Sequence, residues 1–237
     1  GTAFPPGLDA PPVKDTLPLA AVQAFSIDDS ATTEIDDALS VQGLGSGTVV
    51  LGIHIAAPAL AIQPGTAIDK VAAERLSTVY MPGWKLTMLP DAVVQAYTLT
   101  EGRDCPAVSL YLTIDEATLS VRASETKLER VPIVTNLRHD RLDQVITEAS
   151  LANTAAATYP FAAELAFAWR LACALKARRE VVRGKPENFN RPDYTFRLDR
   201  AQRTILLVLA VGALAVVAWR RIVRPLSAAT SDDALCL

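Results

Sequence analysis

The stretch AFSIDDSATTEIDDALSV, Ala24 to Val41, decides the reading of this chain. It sets Asp28, Asp29, Glu34, Asp36 and Asp37 within ten residues, with only Ser, Thr, Ala and Ile between them. No Lys or Arg stands among them to balance the charge. Crowded carboxylates raise one another's pKa and oppose folding, and a cation relieves that repulsion. All-oxygen ligand sets select hard ions such as Mg²⁺, Mn²⁺ or Ca²⁺ over zinc. An EF-hand loop starting at Asp28 fails, because Thr33 stands where that loop needs Gly and Leu39 where it needs its last acid. Two readings remain open on the residues alone: a Mg²⁺-type site, or an acidic surface loop in which Asp28 or Thr33 caps a short helix.

The rest of the chain narrows the choice. Of 237 residues, 50% are hydrophobic and 21% charged, which excludes a chain disordered by composition. The net charge of -3 gives no global sign of a polyanion partner. Its distribution is uneven. Lys14 is the only Lys or Arg before Lys70, whereas basic residues outnumber acidic ones from Arg170 to Arg203. An acidic first part and a basic later part suit a metal site beside a polyanion track, or simply a solvated helix face. Cys105, Cys173 and Cys236 form neither a disulfide framework nor a zinc pattern, which suits a reducing cytoplasm. The opening GTAFPPGLDAPPVKD lacks the pattern of a signal peptide and reads as a Pro-rich linker inside a longer protein.

Residues 1–20 are that linker, with Pro5, Pro6, Pro11, Pro12 and Pro18 opposing regular structure. Ala24 to Ile27 reads as a strand entering the acidic stretch. Ala38 to Val41 and Thr48 to Ile55 read as a hairpin about a Gly-rich turn, with the acids at its outer end. Ala67 to Leu76 has helical periodicity, and MPGWKLTMLPDAV reads as a loop. Ala107 to Ile114 and Leu119 to Ala123 form a second expected hairpin; Leu137 to Ser150 and Ala162 to Val182 are expected helices, and Tyr194 to Leu198 a short strand. Hairpins mixed with helices, without regular β-α-β alternation, predict an α+β fold: a mixed, mainly antiparallel sheet with flanking helices.

For the acids to serve one ion, Asp28 must converge with Glu34, Asp36 and Asp37, which neither a regular strand nor a helix allows. An irregular loop following a strand is required. Mg²⁺ keeps several waters and takes part of its shell from substrate phosphate, so a phosphodiester hydrolase is the fitting chemistry.

The spacing is more specific than a cluster of acids. Ser-Ile-Asp, five residues, then Glu-Ile-Asp-Asp-Ala-Leu-Ser resembles the signature of the ribonuclease II/R family, the RNB catalytic domain, which reads Thr-Ile-Asp, a spacer, then Asp-x-Asp-Asp-Ala. LGIHIAAPALAIQPGTAIDKVAAERLSTVYMPGWKLTMLP continues the likeness in order, through His-Ile-Ala, Pro-Gly-x-x-Ile-Asp, a helix, Tyr-x-Pro and Met-Leu-Pro. The likeness spans residues 21–199, the expected N-terminal portion of that catalytic domain.

The resemblance implies that Asp28, Glu34, Asp36 and Asp37 bind Mg²⁺ (or Mn²⁺) at the scissile phosphate, with Asp37 the most needed for chemistry and Asp28 beside it. Glu34 departs from the family's usual Asp, which implies tuning rather than loss. Asp29 matches no ligand position. Tyr80 falls at the family's aromatic that stacks on a base near the RNA 3′ end, and Phe189 near a second aromatic that clamps from the other side. Arg191, Tyr194 and Phe196 read as structural, and His54 as a strand residue, because a lone His lacks ligand partners. Lys85 and Arg103 are cations able to touch phosphates, but surface lysines and arginines are common and neither is singled out. The implied activity is hydrolysis of single-stranded RNA from its 3′ end to nucleoside 5′-monophosphates.

After Asp199 the likeness ends, before an Arg and a Glu that the family uses at its active site and before its RNA-binding barrel. Residues 200–237 instead form a divergent tail holding an apolar run, Ile205 to Trp219, expected as a helix. Fifteen apolar residues are marginal for a membrane span. The tail is read chiefly as that of a truncated or frame-shifted piece, otherwise as a core helix or a membrane anchor. The rival functions are therefore a catalytically incomplete fragment that binds metal and RNA without cleavage, and a membrane-tethered remnant.

Overall fold

The computed structural model describes Phe4 and residues 16–30, 32–81, 84–186, 193–199 and 204–210, the last two stretches as backbone alone. Phe189 and Arg191 lie outside the described residues, as does 211–219 of the apolar run. The chain divides into two compact units, Gly1–Leu137 with Phe196–Leu206 and Arg138–Thr195 with Leu207–Leu237.

The first unit is built on β-branched and apolar runs. β1 (Ala24–Asp28), β2 (Asp37–Gln42) and β3 (Thr48–Ala56) come first in the sequence. The β2–β3 turn takes positive φ at Gly43, where a Cβ would stand 2.5 Å from the Thr48 carbonyl oxygen. Glu116 closes the turn by accepting from the Gly45 and Gly47 amides. Helix α1 (Ala67–Arg75) follows, capped by Thr66. Next come a small hairpin of β4 (Val79–Met81) and β5 (Trp84–Leu86), then α2 (Asp91–Tyr97). The end of β4, all of β5 and the start of α2 fall in the stretch expected as a loop, Met81 to Val93. β6 (Asp104–Asp115) and β7 (Ser120–Arg138) complete the unit.

β1-β2-β3-β6-β7 form a closed barrel whose named strand pairs are antiparallel. The antiparallel sheet with flanking helices is as expected; its closure is not foreseen in the sequence. Ala24, Ile35, Ala38, Leu99, Cys105, Ala107, Val131 and Ile133 make one buried cluster. A second, smaller one is Ile68, Val93 and Tyr97, beneath α1 and α2.

Further along the barrel the interior is polar and fully partnered around His54, which is completely buried. Its Nε2 lies 2.9 Å from Ser40 Oγ and its Nδ1 2.8 Å from Ser109 Oγ. Tyr111 stands edge-on to the imidazole and donates its hydroxyl to Glu129 at 2.5 Å. Gly52 makes the room: a Cβ there would stand 2.4 Å from Ser40 Oγ and 2.7 Å from His54 Nε2. Burial pushes the imidazole down to about 4, against a smaller opposing effect of Glu129. His54 is therefore a neutral structural residue at pH 7.

The second unit holds α3 (His139–Leu142), α4 (Glu148–Ala152) and the long α5 (Ala162–Arg183). The single helix expected over Leu137 to Ser150 is instead the end of β7 and two short helices. β-branched Val145, Ile146 and Thr147 break the run, and Thr147 caps α4 through a reciprocal bond pattern with Ser150. α5 buries Leu165, Ala166, Phe167 and Leu171, and ends at Gly184 in the left-handed conformation.

β8 (Asp193–Asp199) and β9 (Thr204–Ala210) pair as a two-stranded sheet. Ile205 to Ala210 is thus extended where a helix was expected. A short apolar run does not separate the two by periodicity, and Thr204, Ile205 and Val208 favour the strand. Among the described residues no helix is long and apolar enough to cross a membrane.

Candidate functional site

The acidic stretch is an irregular loop between β1 and β2, as convergence of its acids requires. Its middle is pinned at Ile35. That side chain is buried in the barrel cluster, its amide donates to Thr98 Oγ1 at 2.7 Å, and its carbonyl accepts from the Leu99 amide at 2.9 Å. Anchoring one apolar residue so firmly fixes Glu34 and Asp36 on either side of it. Asp36 is held again by its carbonyl, which accepts from the Ala56 amide at 2.8 Å. Asp37 opens β2 and pairs with Ile55, so its backbone belongs to the barrel ladder.

Asp28 ends β1. Ser26, two residues earlier and on the same strand face, donates to Asp28 Oδ2 at 2.5 Å. Ser26 Oγ in turn accepts from Asn136 Nδ2 at 2.9 Å, and that amide also donates to the Leu99 carbonyl. A chain from β7 through β1 thus orients the Asp28 carboxylate.

Glu34, Asp37 and Asp28 lie near enough to Asp36 for their charges to act on it. Asp36 is exposed as a residue, yet its carboxyl is held above the ordinary range, first by partial desolvation and then by the charges of Glu34, Asp37 and Asp28. Lys85 opposes that effect from β5. Asp29 is not among the groups acting on Asp36, and its carbonyl accepts from the Thr32 amide in a local turn.

Glu34 differs from the others. Both its carboxylate oxygens are engaged: Oε1 by Lys85 Nζ at 2.5 Å and Oε2 by Thr78 Oγ1 at 2.9 Å. Tyr80 sits on the same small hairpin, directly opposite Lys85, and is two-thirds exposed. Its phenol is held up first by desolvation and then by the charge of Glu34. Arg103, by contrast, donates to the Gln95 and Ala96 carbonyls in the last turn of α2.

A divalent ion can be tested against this donor set. The all-carboxylate chemistry and the like-charge pressure on Asp36 fit a hard cation. Among the described residues, however, no three His, Cys, Asp or Glu side chains converge closely enough to hold a metal as they stand. Sequence reasoning singled out the acids and Tyr80 as candidates. It missed Ser26, Thr78, Thr98 and Asn136, of which only Ser26, in register with Asp28, carried a local signal.

A model of the RNB domain matches residues 17–210. The chain belongs to the RNB domain family. The resemblance carried by the acidic motif is thereby borne out. Among curated RNB relatives, Ribonuclease R of Chlamydia muridarum is 30% identical over 187 residues, which is 78% of this chain and 25% of the relative. Exoribonuclease 2 of Vibrio cholerae serotype O1 is 38% identical over 116 residues, 46% of this chain and 17% of the relative. Among solved structures, Mycoplasma genitalium RNase R in complex with ribose methylated single-stranded RNA matches with a TM-score of 0.69 at 17% identity. That match covers 88% of this chain and 32% of that chain, and it shows a shared fold. This RNB chain therefore spans at most about a third of each of these proteins.

Proposed function

We propose that this RNB chain carries the acidic site of a hydrolytic exoribonuclease. Its substrate is single-stranded RNA, taken from the 3′ end and released as nucleoside 5′-monophosphates, with Mg²⁺ or Mn²⁺ as cofactor. The observation that supports this is the set of four crowded carboxylates beside an exposed aromatic on a hairpin. The relatives named Ribonuclease R and Exoribonuclease 2 lend it family support.

The chain's own residues divide the work. Tyr80 offers a ring face on which an unpaired base stacks, a contact that tolerates any base and contributes roughly 1–3 kcal/mol. Sequence independence follows, because no base edge is read. Asp28, Asp36 and Asp37 would hold the ion, and their mutual repulsion makes ion binding favourable. When bound, a divalent ion supplies positive charge at the scissile phosphate and eases the ionisation of water. Ser26 and Asn136 keep Asp28 oriented. Asp37, fixed on the barrel ladder, cannot shift to compensate for a lost neighbour, nor a neighbour for it.

A gel assay tests the reading. A 5′-labelled single-stranded RNA is incubated with the purified chain in Mg²⁺ or in EDTA, beside Asp37→Asn. A Mg²⁺-dependent ladder shortening from the 3′ end, absent in Asp37→Asn, is expected. A folded chain that leaves the RNA intact in Mg²⁺ would show that cleavage is not a property of this chain.

A further inference from the structure

Glu34 stands at one of the four acidic positions, yet its geometry is that of a fastener. Its carboxylate is largely covered, with the side chain one-tenth exposed. One oxygen accepts from the Lys85 ammonium at 2.5 Å and the other from the Thr78 hydroxyl at 2.9 Å. Lys85 also donates to Thr33 Oγ1 at 2.7 Å, so two neighbouring residues of the acidic loop grip one ammonium. Thr78 Oγ1 in turn accepts from the Met88 amide at 3.2 Å. Thr78 precedes β4, Met88 follows β5, and Lys85 lies on β5 itself, so these bonds tie both strands of the hairpin. Lys85 is the cross-strand partner of Tyr80, and directly opposed residues on paired strands share a face. Whatever holds Lys85 to the loop therefore holds the Tyr80 face toward the loop.

We propose that Glu34 is a positioning residue rather than a metal ligand: through Lys85 and Thr78 it latches the β4–β5 hairpin to the acidic loop and so sets where Tyr80 stands. The glutamate's extra methylene carries its carboxylate outward to the hairpin, while the pinned Ile35 keeps its backbone in place. The ion site is then Asp28, Asp36 and Asp37, and Lys85 is the counter-charge of Glu34 instead of a phosphate contact. This rests on the reading of Tyr80 as a stacking platform beside an ion site.

Hydrogen exchange in EDTA, without RNA, reads the latch by itself. In Glu34→Gln and in Lys85→Met the amides of Val79–Met81 and Trp84–Leu86 are expected to exchange about tenfold faster, as loss of a charged hydrogen bond implies. The amides of β3 serve as the internal control for folding, and Asp36→Asn leaves the hairpin unchanged. Mn²⁺ titration followed by EPR separates the roles: Glu34→Gln keeps the wild-type affinity within about twofold, and Asp36→Asn loses tenfold or more. Removing a carboxylate near a polyanion should tighten RNA binding by charge alone, but the latch predicts that Glu34→Gln weakens it by about three- to tenfold. The exchanged pair, Glu34→Lys with Lys85→Glu, restores RNA affinity and hairpin protection together, which a lost metal ligand would not allow. Wild-type hairpin exchange in Glu34→Gln, or a loss of Mn²⁺ affinity equal to that of Asp36→Asn, overturns the proposal. Altered hairpin exchange in a chain that binds no RNA, even as wild type, supports the latch and removes the stacking role of Tyr80 instead.

Discussion

The barrel contains two polar regions that obey opposite rules. Around His54, each polar group meets a partner: imidazole to Ser40 and Ser109, phenol to Glu129. Around Asp36, like charges are crowded together, and Lys85 contacts Glu34 among them. Buried polar groups must be satisfied or the fold fails. An open rim can tolerate repulsion if something else will later relieve it. The comparison teaches which polar residues serve folding and which serve a ligand, and it does so through partners rather than residue types.

The sharpest way to break the comparison is to neutralise one residue of the rim. Asp37→Asn should lower RNA cleavage by about 10³-fold or more, the scale of losing one charged group at a reacting centre, while urea unfolding stays near wild type. A variant that loses stability in proportion to activity would place Asp37 in the structural class with His54. At the other region, acid should act on the fold. The His54 imidazole lies at about 4 when folded and near 6.5 when unfolded. The unfolded chain thus binds the proton first, so stability falls as pH drops from about 6.5 to about 4, by roughly 3 kcal/mol from this group. Urea midpoints across that window check it. His54→Asn should flatten the slope.

Smaller effects sharpen the same contrast. Tyr80→Ala should weaken single-stranded RNA binding by about 1–3 kcal/mol, measured by fluorescence anisotropy, with little change in unfolding. Gly52→Ala should do the reverse. It forces a methyl against Ser40 and His54, and destabilises the chain by about 1–3 kcal/mol without touching the rim. Asp36→Asn has the smallest effect on stability: it removes like-charge repulsion, so the melting temperature in EDTA should rise slightly even as metal binding is lost.

Legibility in the sequence followed the same divide. The acids were readable because so much like charge in ten residues has few purely structural uses. β3 was readable from its β-branched run, and α1 and α5 from their periodicity. The hairpin bearing Tyr80 was hidden by Pro82 and Gly83, which read as loop. The long reach of β7 beyond Ala123 was hidden because Ser124 to Lys127 is polar on both faces. Closure of the barrel, and the bonds from Thr98 to Ile35 and from Asn136 to Ser26, join residues far apart in the chain. No local pattern encodes such pairs. Lys85 shows the limit most clearly: a surface lysine by sequence, it is the partner of Glu34 in space.

The most direct test of the account is a Mn²⁺ titration of the purified chain by EPR, wild type beside Asp36→Asn and His54→Asn. The account predicts saturable binding in wild type and in His54→Asn, and its loss in Asp36→Asn. Equal binding in all three, or none in a folded wild type, would contradict the claim that the crowded acids of the β1–β2 loop are a metal site.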